Sequence, residues 1–146
     1  MVEIEFTFEG EVVPKGRPKF TRINGYPRAY TPKKTADYEK FVSTIARAEM
    51  LRQGLKPLTC ALAVSIDVFL PVPKSTSKKK RFAMLKSDIR PTVKPDIDNA
   101  AKSILDGMNG VVFEDDKQIV NLNVRKFYGN DPRVEVRIFE IEEFTP

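Results

Sequence analysis

Lys94-Pro95-Asp96-Ile97-Asp98-Asn99-Ala100-Ala101-Lys102, followed after one helical segment by the acidic turn Glu114-Asp115-Asp116, decides how this chain is read. Asp96 and Asp98 are two apart, and Pro95 biases the residue before it toward extended backbone, so both carboxylates can point to one side just ahead of a helix. Asp98 or Asn99 is a natural N-cap. Beyond it Ala101, Ile104, Leu105 and Met108 recur at i, i+3, i+4 and i+7 as one apolar stripe, while Asp98, Lys102 and Asp106 share the other face. Gly107 or Gly110 ends the helix, and Val111-Val112-Phe113 returns the chain so that Glu114, Asp115 and Asp116 come back beside Asp96 and Asp98.

A single aspartate in any of these places is most simply a cap or a turn residue. The set differs, because carboxylates gathered this closely repel unless a cation or a proton joins them. Composition narrows the chemistry. The 146 residues include no histidine, which excludes Ser-His-Asp and Cys-His relays, histidine-based nuclease sites and zinc sites of the Cys/His kind. A catalytic metal would then be held mainly by Asp and Glu oxygens, which suit Mg²⁺ or Mn²⁺. Twenty-five Lys and Arg against twenty Asp and Glu favour a polyanionic partner. The length fits one domain, residues 1–146, with a sizeable core. Met1-Val2-Glu3-Ile4-Glu5 lacks a signal-peptide start and no apolar run approaches a membrane span, so the expected compartment is the cytoplasm. Cys60, the lone cysteine, sits in an apolar run and reads as a buried core thiol.

Along the chain, Val2, Ile4, Phe6 and Phe8 alternate with polar residues as a first strand. From Val12 to Ala36 there is no acidic residue. Lys15, Arg17, Lys19, Arg22, Arg28, Lys33 and Lys34 are interleaved there with Phe20, Tyr26 and Tyr30, and prolines and glycines break the stretch into an extended basic loop with room for a small hairpin at Asn24-Gly25. Such a loop suits phosphate tracking and stacking on exposed bases better than idle solvation. Thr31 as N-cap and Pro32 as first residue open a helix to about Gln53 with Tyr38, Phe41, Ile45, Ala48 and Leu51 as its core stripe. Leu58 to Leu70 reads as a central strand with Cys60, Leu62, Val64, Ile66 and Val68 on one face. Ser75-Thr76-Ser77 then caps a short basic helix, Lys78 to Leu85, that carries Lys78, Lys79, Lys80 and Arg81. Gln118 to Tyr128 is a third strand, and Val134, Val136 and Ile138 mark a fourth, paired to the third as a hairpin through Asn130-Asp131-Pro132; Glu140 to Pro146 frays. The order β-α-β-α-α-β-β predicts an α+β domain with a mixed four-stranded sheet and helices largely on one face.

Lys94 to Lys102, Ile104-Leu105-Asp106-Gly107-Met108 and Glu114-Asp115-Asp116-Lys117-Gln118-Ile119-Val120, together with Lys126, resemble the RusA-type Holliday junction resolvases, small prophage-associated endodeoxyribonucleases. Gly16-Arg17-Pro18 and Tyr30-Thr31-Pro32 resemble the variant common in phages of Gram-positive bacteria. The resemblance implies metal-binding carboxylates at Asp96, Asp98 and Asp116, and a catalytic lysine at Lys102. Asp106, Asp115 and Asn99 stand behind them as orienting partners. It also implies a four-way junction as substrate and a homodimer whose two-fold axis supplies two symmetric cuts in recombination and repair, with Mg²⁺ as cofactor and Mn²⁺ as substitute. The two basic segments flanking the acidic site read as a groove for the backbone, with DNA contacts from Lys15, Arg17, Arg22 and Arg28 and from Lys78, Lys79, Lys80 and Arg81. The alternatives are a non-catalytic DNA-binding recombination accessory protein and a Mg²⁺-dependent nuclease of flaps or forks.

Overall fold

The computed structural model describes residues 2–144 and 146. Its elements in order are β1 (Glu3–Glu9), β2 (Lys19–Ile23), β3 (Tyr26–Tyr30), α1 (Lys33–Arg52), β4 (Leu62–Pro71), α2 (Lys78–Leu85), α3 (Ile97–Met108), a 3-10 turn (Asp116–Gln118), β5 (Ile119–Gly129) and β6 (Arg133–Glu140). Four strands form a mixed sheet in the order β1-β6-β4-β5, while β2 and β3 make a separate ribbon. The α+β class and the four-stranded sheet are those the sequence predicts, and the ribbon turns at Asn24-Gly25, where both residues have positive φ as a type I′ turn requires.

The expected β5–β6 hairpin does not form. β5 runs parallel to β4, β6 runs antiparallel to both β4 and β1, and the three residues 130–132 carry the chain across the end of β4. The cause is β4, whose backbone needs a partner along both edges and whose inward side chains Leu62, Val64, Ile66, Val68 and Leu70 are all buried. With Ile4, Phe6 and Phe8 of β1 and Val134, Val136 and Ile138 of β6 they make one apolar sheet face. The opposite face is polar, with the Arg125 guanidinium donating two hydrogen bonds to Asp67, each of 2.8 Å.

On the buried face α1 packs against α3. The α1 residues that go inward are Thr35, Tyr38, Val42, Ala46 and Met50, a stripe beside the predicted one; of the predicted set only Tyr38 is fully buried. α1 also starts one residue late. Pro32 occupies the N-cap position and Thr31 caps nothing, while the Thr35 hydroxyl donates to the Pro14 carbonyl and accepts from the Gly16 amide. Gly107 lies inside α3 and fits the crossing, since a Cβ there would stand 2.8 Å from Val42 Cβ and 2.9 Å from the Glu39 carbonyl oxygen.

β4 begins at Leu62 and not at Leu58: Leu58 bridges to Phe113 instead, and the Gln118 side chain donates to the carbonyls of Leu58 and Cys60; Cys60 is half-buried. The basic helix α2 has the predicted bounds, with the Ser77 hydroxyl accepting from the Lys80 amide. The C-terminal segment does not fray at its start: Ile141 N–H donates to the Ala61 carbonyl and Glu143 accepts from the Ala61 amide. Thr145 lies outside the described residues. Among those described, no helix is long and apolar enough to cross a membrane.

Candidate active site

Of the expected stripe of α3, Ala101 is 4% exposed and Ile104 and Met108 are fully covered, while Leu105 is half-buried at the edge of a cleft. The helix starts earlier than expected. Asp96 is the N-cap residue, with extended backbone and no side-chain cap bond, so neither Asp98 nor Asn99 caps; Asp98 lies in the first turn, where its charge faces the positive end of the helix dipole. Alternation that would put Asp96 and Asp98 on one side therefore stops at Asp96, and each later residue turns by about 100°. Asp96 opens onto a cleft of about 370 Å³ with Lys15, Lys94 and Asn99, and Asp98 onto another of about 350 Å³ with Lys102, Leu105 and Leu122. Both carboxylates are exposed.

The return after α3 is built from backbone hydrogen bonds. Gly110, at φ +78°, donates to the Phe113 carbonyl at 2.8 Å, Leu58 donates to Val112 at 2.8 Å, and Glu114 donates to Leu58 at 3.2 Å. Asp115 then caps the 3-10 turn, its carboxylate accepting from the Lys117 amide while its own amide donates to the Gln118 side chain. The outcome is that Asp116 Oδ2 stands 4.0 Å from Lys102 Nζ. The acidic turn thus returns to the polar face of α3, level with the lysine.

Lys102 also donates to Asp106 Oδ1 at 3.0 Å, one helical turn along. Asp106 Oδ2 lies 3.0 Å from Lys15 Nζ, and Lys15 donates in turn to Glu39 of α1. Glu39, Lys15, Asp106, Lys102 and Asp116 form a chain of alternating charge from α1 to the 3-10 turn. Burial acts to raise the pKa of Asp106, but hydrogen bonds from Lys15 and Lys102 outweigh it and leave the carboxyl below its ordinary value. Burial likewise acts to lower Lys15, and the bonds to Glu39 and Asp106 hold it above the usual lysine value. Among the described residues, no three acidic or cysteine side chains stand close enough together to hold one ion. The cluster the structure assembles is Lys102 with Asp106 and Asp116, and not the three carboxylates Asp96, Asp98 and Asp116.

The basic residues divide. Arg17, Arg22, Arg28, Lys78, Lys79 and Lys80 are exposed, whereas Arg81 is half-buried and reaches the Pro73 carbonyl at 3.4 Å. Lys15 is different again: its ammonium is committed to Glu39 and Asp106, and its amide donates to the Asn99 carbonyl at 2.9 Å, which ties the root of the basic loop to the first turn of α3. Sequence reading missed Glu39, whose partner lies 24 residues away, and gave no role to Lys126, which donates to the carbonyls of Val93 and Pro95 and pins the turn that presents Asp96. Arg90 fixes Lys126 from the other side through two hydrogen bonds to its carbonyl. No spacing signals such contacts, since they join residues from separate elements.

A family model described as endodeoxyribonuclease RusA matches residues 9–139. The chain is 38% identical over 143 residues to the uncharacterized protein YqaN of Bacillus subtilis strain 168, covering 94% of this chain and 96% of that protein. It is 26% identical over 148 residues to the crossover junction endodeoxyribonuclease rusA of Lactococcus phage r1t, covering 96% of this chain and all of the phage protein. With the match running from the end of β1 through β6, and so through every element of the site, the chain belongs to the RusA endodeoxyribonuclease family.

Proposed function

We propose that this chain, acting as one endonuclease domain over residues 1–146, cuts four-way DNA junctions by divalent-metal-assisted phosphodiester hydrolysis, in symmetric pairs as a homodimer. The observation that carries this is Lys102, half-exposed, 3.0 Å from Asp106 and 4.0 Å from Asp116, on a helix whose first turn presents Asp98 and anchors the basic loop. The likeness to the crossover junction endodeoxyribonuclease of Lactococcus phage r1t supports the choice of substrate.

The donor chemistry, more than the placement of the side chains, suits a hard divalent cation. Asp96 and Asp98 are exposed and Asp116 is half-exposed, an all-oxygen donor set in a chain without histidine. Mg²⁺ is commonly held by one or two carboxylates and completes its shell with water and substrate phosphate, so an open arrangement suits it better than a closed cage. Asp96 and Asp98 open onto separate clefts and Asp116 stands beside Lys102, so the three side chains would have to converge to hold one ion, which would then supply an activated water and neutralise charge at phosphorus. Lys102 contacts the scissile phosphate as a point charge, and Asp106, held by Lys15, keeps the lysine at that place. Arg17, Arg22, Arg28 and the lysines of α2 take the flanking backbone.

Cleavage of a synthetic four-way junction beside duplex and flap controls tests this reading. Activity is expected with Mg²⁺ or Mn²⁺ and none in excess chelator. Asp98→Asn, which removes a charge but no cap, is expected to fold and bind the junction as the parent does and to cut at least ~100-fold more slowly. Cleavage that survives chelator, or near-normal cutting by Asp98→Asn, would refute it.

A further inference from the structure

The ribbon β2–β3 stands outside the main sheet. Its ten residues are all exposed, and its strands pair only with each other. A two-stranded ribbon is marginal in water by itself, and this one carries Phe20 74%, Tyr26 75%, Tyr30 48% and Ile23 48% exposed. Opposite residues of an antiparallel pair share a face, so the register Lys19↔Tyr30, Thr21↔Arg28 and Ile23↔Tyr26 puts Tyr26, Arg28 and Tyr30 in one row with Lys19 and Ile23 beside them. Successive same-face residues on a strand are about 6.8 Å apart, twice the rise per residue. That gap is two stacking distances, room for one flat base between each tyrosine and the arginine.

We propose that the β2–β3 ribbon is a base-stacking arm, in which Tyr26 and Tyr30 flanking Arg28 take DNA bases that have left the duplex. This rests on the reading of the chain as a nuclease of branched DNA, and it assigns the recognition of unpaired bases at the branch point to a part of the chain away from the cutting residues. Charge selects the occupant. No acidic residue lies between Val12 and Ala36, so a second copy laid on this face would set Lys19 and Arg28 against their own like charges, whereas a nucleic acid offers π-faces and phosphates together. The arm is also rooted at the cutting site. The Lys15 amide donates to the Asn99 carbonyl and the Gly16 amide to the Thr35 hydroxyl, four and three residues before the ribbon begins.

The chain has no tryptophan and four tyrosines, of which Tyr38 and Tyr128 are buried, so tyrosine emission that responds to solvent reports on the ribbon. Titration of the full chain with oligo(dT) in chelator, where no cutting is required, is expected to quench that emission. Y26A with Y30A is expected to lose about 10-fold in affinity for oligo(dT) and for a four-way junction, with duplex affinity and the salt dependence of binding unchanged; Y26F with Y30F keeps parental affinity. Unchanged thermal unfolding of both double variants is expected from a ribbon that stands clear of the core. Equal loss on duplex, no loss on oligo(dT), or dissociation of a dimer by the alanine pair with DNA binding intact would overturn the arm. Cleavage of junctions by the parent protein is scored separately, so a failed arm and a failed nuclease reading are distinguishable.

Discussion

Gly107→Ala turns the crossing of α1 and α3 into a measurable quantity. In an open helix the change is favourable by about 1 kcal/mol. Here the added methyl would meet Val42 Cβ and Cγ1, each at 2.8 Å, and the Glu39 carbonyl oxygen at 2.9 Å. Val42 is fully buried and the carbonyl is backbone, so neither can swing aside, and α1 must move by about 0.5 Å to regain ordinary contact. Overpacking costs about 1–3 kcal/mol, and three contacts under 3 Å against atoms that cannot swing aside put it at about 2–3 kcal/mol, which leaves a net loss of about 1–2 kcal/mol. At about 2–4 °C per kcal/mol for a chain near this size, Tm should drop by about 2–8 °C, and the urea midpoint should fall at unchanged slope. Because Glu39 also accepts from Lys15, the displacement loosens the charge chain that ends at Lys102, so junction cleavage should decline even at temperatures where the variant is fully folded. A variant as stable as the parent, or more stable, would refute the close packing of these helices.

The ion chain makes stability pH-dependent with a definite sign. The folded pKa of Asp106 lies below the ordinary 3.8, so its contribution is complete above about pH 4 and is lost as pH falls through the lower folded value; Asp106→Asn should flatten the acid limb of a Tm-against-pH curve and leave the neutral region nearly flat. Neutralising Arg17, Arg22 and Arg28 to Gln should reduce the salt dependence of duplex binding by roughly 0.9 in log-log slope for each phosphate that is no longer paired with a cation, read by fluorescence anisotropy. Lys15→Gln should instead lower Tm with little change in that slope, because its ammonium is bonded within the fold.

Local signals in the sequence survive into the structure where neighbours in the chain decide the outcome. β1, α2, the Asn24-Gly25 turn and, save for half-buried Leu105, the apolar stripe of α3 are of this kind, each read from spacing or turn chemistry a few residues long. Misreadings arise where a distant partner wins. The β5–β6 connection has hairpin length, yet β4 draws the two strands to its opposite edges; Leu58 reads as the start of β4, yet it bridges to Phe113 after α3. The site follows the same division. Asp96, Asp98, Lys102 and Asp116 are visible as a pattern, and the approach of Asp116 to Lys102 follows from the return after Gly110. Lys15 as an internal cation, Glu39 as its anchor and Lys126 as the pin of the Val93–Pro95 turn are set by tertiary contacts that no periodicity announces.

The place of β6 between β1 and β4 governs how the chain can fold as it is made. The first strand pairs with residues 133–139 and with no other strand, so β1 waits for almost the whole chain before it finds its partner. Until β6 arrives, β4 has one bare edge and the apolar faces of both strands lack the layer that joins them. Loop closure over such a span places folding among the slower, nonlocal topologies, and assembly of the sheet cannot proceed from the N-terminus outward during synthesis. Ribosome-bound chains halted before Arg133 should therefore remain protease-sensitive, with the arm and the cutting residues already translated but not yet held to one scaffold.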